Sequence, residues 1–311
     1  MNTKIYNFLQ KAFVVLALSV PILGFAAPED ILSKEEIFWL EKRNNTIVVY
    51  PEKGYPPFSY QSTSGVPQGL SMEYLELIAE KIGAKISYLP ARPLSQITED
   101  IKQGKGDIVT SITPTPTKEE FLYFTDEYIT VPAVIVVRKD FNKEHLNISD
   151  LNGKKVAVGD GYAVGEFLKK NYPRIILDRV TDDEVGLQQL VLGEVDMAVM
   201  DIASFSFYIS KQVLNSVKVV GNVGFDYKLS FAVPKDKQPL QVILDKGLSQ
   251  ISTNERANLN AKWIAVPEEH KADKDLSVLI EDYFHSFAMY VSFGVLLGVI
   301  VILIMRQSKS R

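Results

Sequence analysis

Residues 107–128 read DIVTSITPTPTKEEFLYFTDEY. A short apolar strand around Ile108 and Val109 runs out into five hydroxyl residues, Thr110, Ser111, Thr113, Thr115 and Thr117, interrupted by Pro114 and Pro116, and a charged turn with Lys118 follows. Proline neither donates to a ladder nor sits inside a helix, so the chain after Ile112 is expected to form an extended, rigid loop. Hydroxyls on such a loop can face a polar ligand, with Lys118 as the one cation. The same residues also serve as ordinary turn formers. What flanks the loop decides between the two.

On its N-terminal side, Ser33 and Glu36 form a capping box that opens a short helix through Arg43. Thr46–Tyr50 (TIVVY) is a buried strand by its β-branched content and delivers Tyr55-Pro56-Pro57-Phe58 beyond its end. Apolar residues at Met72, Leu75, Ile78 and Ile82 predict a helix over 71–82, stopped by Gly83. A strand at 86–89 and a helix carrying Leu94, Ile97 and Ile101 lead back to Asp107. This alternation is a βαβ series with a parallel sheet, whose ligands sit beyond the carboxyl ends of the strands. Tyr55 and the loop from Thr110 to Lys118 both lie at that edge.

The pattern recurs on the C-terminal side. Lys154–Val158 is a strand that ends in Gly159-Asp160-Gly161 before a helix over 162–170. A strand follows at 175–180, then a helix opened by a Thr181/Glu184 capping box and stopped by Gly193, and then a strand at 196–200 followed by Asp201. Gly104-Lys-Gly-Asp107 and Gly193-Glu-Val-Asp196 match in form, each a glycine with an aspartate three residues on that opens a strand. Two similar α/β lobes are therefore expected to face each other across a cleft. Residues 27–133 make the first part of lobe 1, 134–227 make lobe 2, and 228–265 return to lobe 1 with a strand at Leu229–Val233 and two helices. Crossings near 131–137 and 223–229 form the hinge.

Both ends differ from the body. Lys4 and Lys11 precede an apolar run that closes on Gly24-Phe25-Ala26, the marks of a signal peptide over 1–26. Without it, the net charge goes from −4 to −6, and an acidic chain lacking basic clusters argues against nucleic acid as a partner. There is no cysteine, which excludes disulfides, thiol catalysis and a lipidated N-terminal cysteine. Ser286–Met305 holds twenty uncharged residues between aromatic and basic flanks, as a membrane span requires. The expected order is a linker over 266–284, a transmembrane helix over 285–305 and a cytoplasmic tail over 306–311, with the body in the periplasm, anchored in the inner membrane. Ser292, Gly294 and Gly298 give that helix a small-residue face with G-x-x-x-G spacing. With an expected tail of only six residues, any message from the lobes is expected to leave through another protein.

YPPF at 55–58, GDIVTSITPTPTKEEFLYFTDEY at 106–128, ISDLNGKKVAV at 148–158 and GEVDMAVMD at 193–201, in this order and spacing, resemble the bacterial extracellular solute-binding proteins of family 3, the amino-acid-binding type. The resemblance covers about residues 35–265 and implies a two-lobed periplasmic-binding-protein (Venus flytrap) fold. The TPTP loop and the C-terminal apolar run look most like the membrane-tethered sensor domains attached to histidine kinases and diguanylate cyclases. By position, the resemblance implies that Tyr55 stacks on the ligand and that Thr113 through Lys118 hold an α-carboxylate, while Thr110 and Ser111, hydroxyls of the same loop, are further expected ligand-binding residues. The turn Gly161, Tyr162, Ala163 supports that carboxylate from a helix N-terminus, and Asp201 takes the α-ammonium. Lys118 stands where the family has arginine, so a planar fork is replaced by a point charge on a flexible stem.

Other chemistry finds little support. His145, His270 and His285 are isolated and show no metal-ligand spacing, and no phosphate loop or serine nucleophile elbow occurs. No cofactor and no catalytic residue are expected. The function implied is closure on a small amino-acid-like ligand, for transport or sensing, with a homodimer, an ABC permease or a separate signalling protein as membrane partner. The alternative is an enzyme on the same scaffold, since cyclohexadienyl dehydratases resemble this family and a cleft lysine with a carboxylate could serve as acid and base.

Overall fold

A computed structural model describes residues 31–211 and 216–264 of the protein. Ser33 Oγ accepts from the Glu36 N–H and Glu36 accepts from the Ser33 N–H, so the capping box read from the sequence opens α1 (Lys34–Glu41). β1 (Thr46–Tyr50) follows, and beyond it β2 (Gly54–Tyr55), β3 (Ser59–Gln61) and β4 (Pro67–Gln68) form a small antiparallel sheet. α2 (Leu70–Ile82) buries Leu70, Met72, Leu75, Ile78 and Ile82 and stops at Gly83, whose φ of 69° is the left-handed cap that glycine adopts without strain. Full burial of each such Leu or Ile contributes about 1.5–3 kcal/mol, and the helix over Gln238–Ser249 supplies part of the surface through Gly247. β5 (Lys85–Tyr88), α3 (Leu94–Lys102) and the wholly buried β6 (Ile108–Ile112) complete the first βαβ series.

The chain after Ile112 is less extended than its prolines suggest. Thr115 Oγ1 caps a short helix, α4 (Pro116–Glu119), in which Pro116 sits in the first turn, where its missing N–H costs nothing. β7 (Leu122–Phe124) and the ten-residue β8 (Ile129–Arg138) follow. The second series comprises β9 (Lys155–Gly159), α5 (Ala163–Asn171), β10 (Ile176–Val180), α6 (Asp183–Leu192), β11 (Met197–Asp201) and α7 (Ile202–Ser210). α6 is capped by Asp182, which accepts from the Val185 N–H, and not by Thr181. The helix begins at Asp183, so Asp182 and not Thr181 stands at the N-cap position, and the capping box expected at Thr181 and Glu184 does not form. β12 (Val217–Pro234), α8 (Gln238–Ser249) and α9 (Thr253–Trp263) end the described chain.

The main strands form one sheet in the order β10-β9-β11-β8-β12-β6-β1-β5, with β7 added beside β12. Pairing is parallel within each βαβ series (β5-β1-β6 and β10-β9-β11) and antiparallel where β8 and β12 enter. β12 is 18 residues long, whereas the sequence suggested a strand only over Leu229–Val233. Gly221, Gly224 and Asp226 interrupt the strand pattern, and the structure absorbs them as register shifts between Val219 and Gly221 and between Asn222 and Asp226. One end of β12 pairs with β8 and the other with β6 and β7, so β12 runs through both halves of the sheet.

The two matching aspartates play one structural part. Asp107 Oδ2 accepts from Val48 N at 2.7 Å while its own N–H donates to Val48 O, and Asp196 makes the same pair of contacts with Lys155. Each pins the start of its strand to a neighbouring strand, β1 or β9. The expectations for residues 1–26 and 266–311 lie outside the described residues. Among the described residues, no helix is long and apolar enough to cross a membrane.

Candidate functional site

β1 and β6 of one βαβ series end opposite the N-termini of α5, α6 and α7 of the other, and the side chains they deliver close on each other. Tyr162 Oη, at the N-cap of α5, donates to Glu52 Oε1 at 2.8 Å, and Thr115 Oγ1 donates to Glu166 Oε1 at 3.1 Å. The Tyr55 ring lies 5.2 Å from that of Tyr162, and Tyr60 meets Phe207 edge-on at 5.3 Å. Gly54 touches Asp182 so closely that a Cβ there would stand 2.9 Å from Oδ2, which leaves this position to glycine. The lobes are shut. Between them remains a cavity of about 10 Å³, room for about one water, lined by Tyr55, Leu94, Ser111, Thr113, Lys118, Tyr162, Ala163 and Tyr227.

Six of the nine residues singled out from the sequence (Tyr55, Ser111, Thr113, Lys118, Tyr162 and Ala163) line this one cavity. Ser111 reaches it through a left-handed backbone, φ 54°, uncommon for a residue with a Cβ. The turn is held from inside the lobe, where Ser111 Oγ donates to Ser71 Oγ at 2.8 Å and Ser71 meets Tyr128 Oη at 2.6 Å. That network occupies the Ser111 hydroxyl, leaving Thr113 Oγ1, buried and without a partner, as the free loop hydroxyl that lines the cavity. Thr110 is buried with an unpartnered Oγ1 and does not line the cavity. Gly161, with φ 83°, packs against the Ser95 backbone at the rim. Asp201 is fully buried as the N-cap of α7, where its two oxygens accept from Ser204 N at 2.8 Å and Ser204 Oγ at 2.7 Å.

The electrostatics are one-sided. Lys118 is 4% exposed, its ammonium has only a long contact of 3.5 Å to Thr113 O, and burial brings its pKa down to about 8 against the pull of Glu166 and Glu52. Facing it are three buried carboxyls. Burial pushes Glu52 up to about 8, with the charges of Asp182 and Asp201 adding to the effect while the Tyr162 hydrogen bond and Lys118 oppose it. Asp183 is pushed well above the usual carboxylate range by burial and then by Asp201, Glu52 and Asp182. Asp201 is raised by burial and held back by its Ser204 bonds. The Tyr55 hydroxyl also favours the Asp201 anion by proximity, yet completes no hydrogen bond of ordinary geometry. Glu52 Oε2, Asp183 Oδ2 and the hydroxyls of Tyr55 and Tyr227 are all buried without a partner. Such groups cost free energy unless something in another state satisfies them.

Glu52, Asp183 and Tyr227 went unread in the sequence. Glu52 stands two residues past β1, at the same sheet edge as Tyr55, so the edge rule was sufficient to find it. Asp183 was hidden in an acidic helix start, where carboxylates are expected for the helix dipole alone. Tyr227 lies just past the second register shift of β12 and carried no signal. Among the described residues, no cluster of three ligating side chains could hold a metal ion.

Two relatives and one solved structure place the chain. It is 26% identical over 238 residues to the sensor protein EvgS of Escherichia coli K12, covering 76% of this chain and 20% of EvgS. It is 23% identical over 251 residues to the L-cystine-binding protein TcyJ of E. coli K12, covering 80% of this chain and 91% of TcyJ. The periplasmic VFT2 domain of BvgS from Bordetella pertussis superposes with a TM-score of 0.67 at 21% identity, covering 74% of this chain and 98% of that domain, a likeness of fold. The chain thus spans about a fifth of the sensor protein it matches and nearly all of the binding protein. The described lobes have the two-lobed periplasmic-binding-protein fold, and with the family model matching residues 47–266, the chain belongs to the bacterial extracellular solute-binding proteins, family 3.

Proposed function

We propose that the body, with lobes over 27–133 plus 228–265 and over 134–227, opens at β8 and β12 to admit one small amino-acid-like ligand and closes on it. The observation that carries this reading is a buried cavity lined by residues from both lobes, in which Thr113, Tyr55 and Tyr227 hydroxyls lack partners and Lys118 is buried without a counter-ion in contact. In this reading Lys118 and Thr113 hold a carboxylate, the first turn of α5 supports it, Tyr55 stacks, and Asp201 takes the amine. The cavity's 10 Å³ admits no amino acid, so binding requires the Tyr162–Glu52 contact to part. A bound solute then stabilises by mass action, about 2.7 kcal/mol at a hundredfold excess over Kd. Binding, and not catalysis, is the activity.

Export by a signal peptide over 1–26 and anchoring by the apolar run 285–305 complete the proposal, with lobe closure passed to a homodimer, a permease or a separate signalling protein. Similarity to EvgS and to TcyJ supports sensing and transport alike. The test is a thermal-shift screen of the purified chain against amino acids, amines and organic acids. At least one ligand is expected to raise Tm, and Asp201→Asn, which retains the bond from Ser204 N, is expected to lose that gain. A ligand that stabilises both proteins equally would remove Asp201 from the site.

A further inference from the structure

The cleft holds more buried acid than its resident cation balances. Glu52, in the turn after β1, is 1% exposed, and Asp183, in the first turn of α6, is 4% exposed; they belong to opposite lobes. Each has one oxygen, Glu52 Oε2 and Asp183 Oδ2, without a hydrogen-bond partner. Neither has a structural task that would account for its burial. Asp182, not Asp183, caps α6, and Glu52 contributes one interlobe hydrogen bond through its other oxygen. Lys118, the buried cation of the cleft, is matched by a ligand carboxylate in the reading above, and Asp201 by the α-ammonium. Glu52 and Asp183 are left over. A metal ion does not fit them, since no third ligating side chain joins them among the described residues.

We infer that the cleft selects a ligand with a second cationic nitrogen, an ammonium or guanidinium that bridges Glu52 of one lobe to Asp183 of the other. The inference rests on the small-ligand reading and deepens it. Such a group offers several N–H donors to the two orphan oxygens and offsets the repulsion between the carboxylates. Its partners sit on different lobes, so its charge acts on the closed state and not on the open one, the condition for a ligand to shift closure. A neutral side chain of the same length would leave both acids buried and unpaired, and sites built around polar partners reject such analogues strongly.

Titration calorimetry at pH 7 on the purified full chain tests this with two pairs, one isosteric, L-arginine against L-citrulline, and one that deletes the terminal nitrogen, L-lysine against L-norleucine. In the pair that binds, the cation is expected to bind at least about tenfold more tightly than its neutral partner. Glu52→Gln and Asp183→Asn, each near-isosteric, are expected to bring that ratio to within about twofold. Citrulline or norleucine binding as tightly as its cationic counterpart, or a ratio untouched by both substitutions, overturns this inference and spares the small-ligand reading. Binding of none of the four, with another amino acid of neutral or acidic side chain found in the thermal-shift screen, overturns it as well. A screen in which nothing binds overturns both.

Discussion

Asp100 and Glu52 are both buried carboxylates of the first lobe, and they are treated in opposite ways. Asp100 is 5% exposed and accepts from Lys105 and Arg92 at 2.8 Å each and from Tyr50 at 3.2 Å, with the Lys105 bond holding its pKa below the usual range. Glu52 is 1% exposed with one partner, Tyr162, and its pKa rises to about 8. Asp107 stands with Asp100, its two oxygens taken by Val48 N at 2.7 Å and Lys237 Nζ at 2.9 Å. Where an acid holds the fold together, the chain supplies its cations and donors. In the cleft it supplies too few, which is how a site that receives its partners from outside differs from scaffold.

Removing an acid should therefore have opposite signs in the two regions. Asp107→Ala leaves the Lys237 ammonium and the Val48 N–H without their partner and is expected to cost about 3 kcal/mol in chemical denaturation. A loss under about 0.5 kcal/mol, the range of an ordinary surface change, would break the comparison from the scaffold side.

Glu52→Gln is expected to stabilise the ligand-free chain, by about 1–3 kcal/mol at pH 8. The folded Glu52 holds its proton up to about pH 8, whereas the unfolded one loses it near 4.5. Its contribution is fully present below pH 4.5 and is lost as pH rises toward 8, so the parent's Tm should fall across that window. Asp183 and Asp201, also raised, act in the same direction. Glu52→Gln should flatten the slope, and an equal slope in parent and variant would show that Glu52 ionises freely in the closed protein.

The smallest effect concerns the lone cation. Lys118→Met is expected to stabilise the ligand-free chain by about 1 kcal/mol below pH 8, because the parent buries an ammonium there without a counter-ion. The gain should shrink between pH 8 and 10.5, where the unfolded lysine also becomes neutral. Destabilisation instead would mean that the charges of Glu52 and Glu166 outweigh the burial of Lys118.

Much of the scaffold was legible because its signals are local. The β-branched run of Thr46–Tyr50, the apolar spacing along α2 and its stop at Gly83, and the capping box at Ser33 each need only a few consecutive residues. The four sequence pieces that carried the family resemblance are borne out by the match over residues 47–266. β12 was legible only at its C-terminal end, since whether Gly221, Gly224 and Asp226 break a strand or bulge within it depends on the partner strand β8, which the segment itself does not encode. At Thr181-Asp182-Asp183 the sequence offers three adjacent caps, and only the packed helix selects one.

By itself, then, the sequence determined the alternation of elements, the sheet edge at which a site would form, and that Tyr55, Thr113 and Lys118 would meet there, since each is placed by its own strand or loop. The tertiary structure decided what those residues meet. Burial of Glu52 and Asp183 from different lobes, the diversion of Ser111 to Ser71, and the unpaired state of Lys118 arise from contacts between segments far apart in the chain. Desolvation, the largest influence on every buried acid of this cleft, is a property of the closed lobes together and of no residue alone.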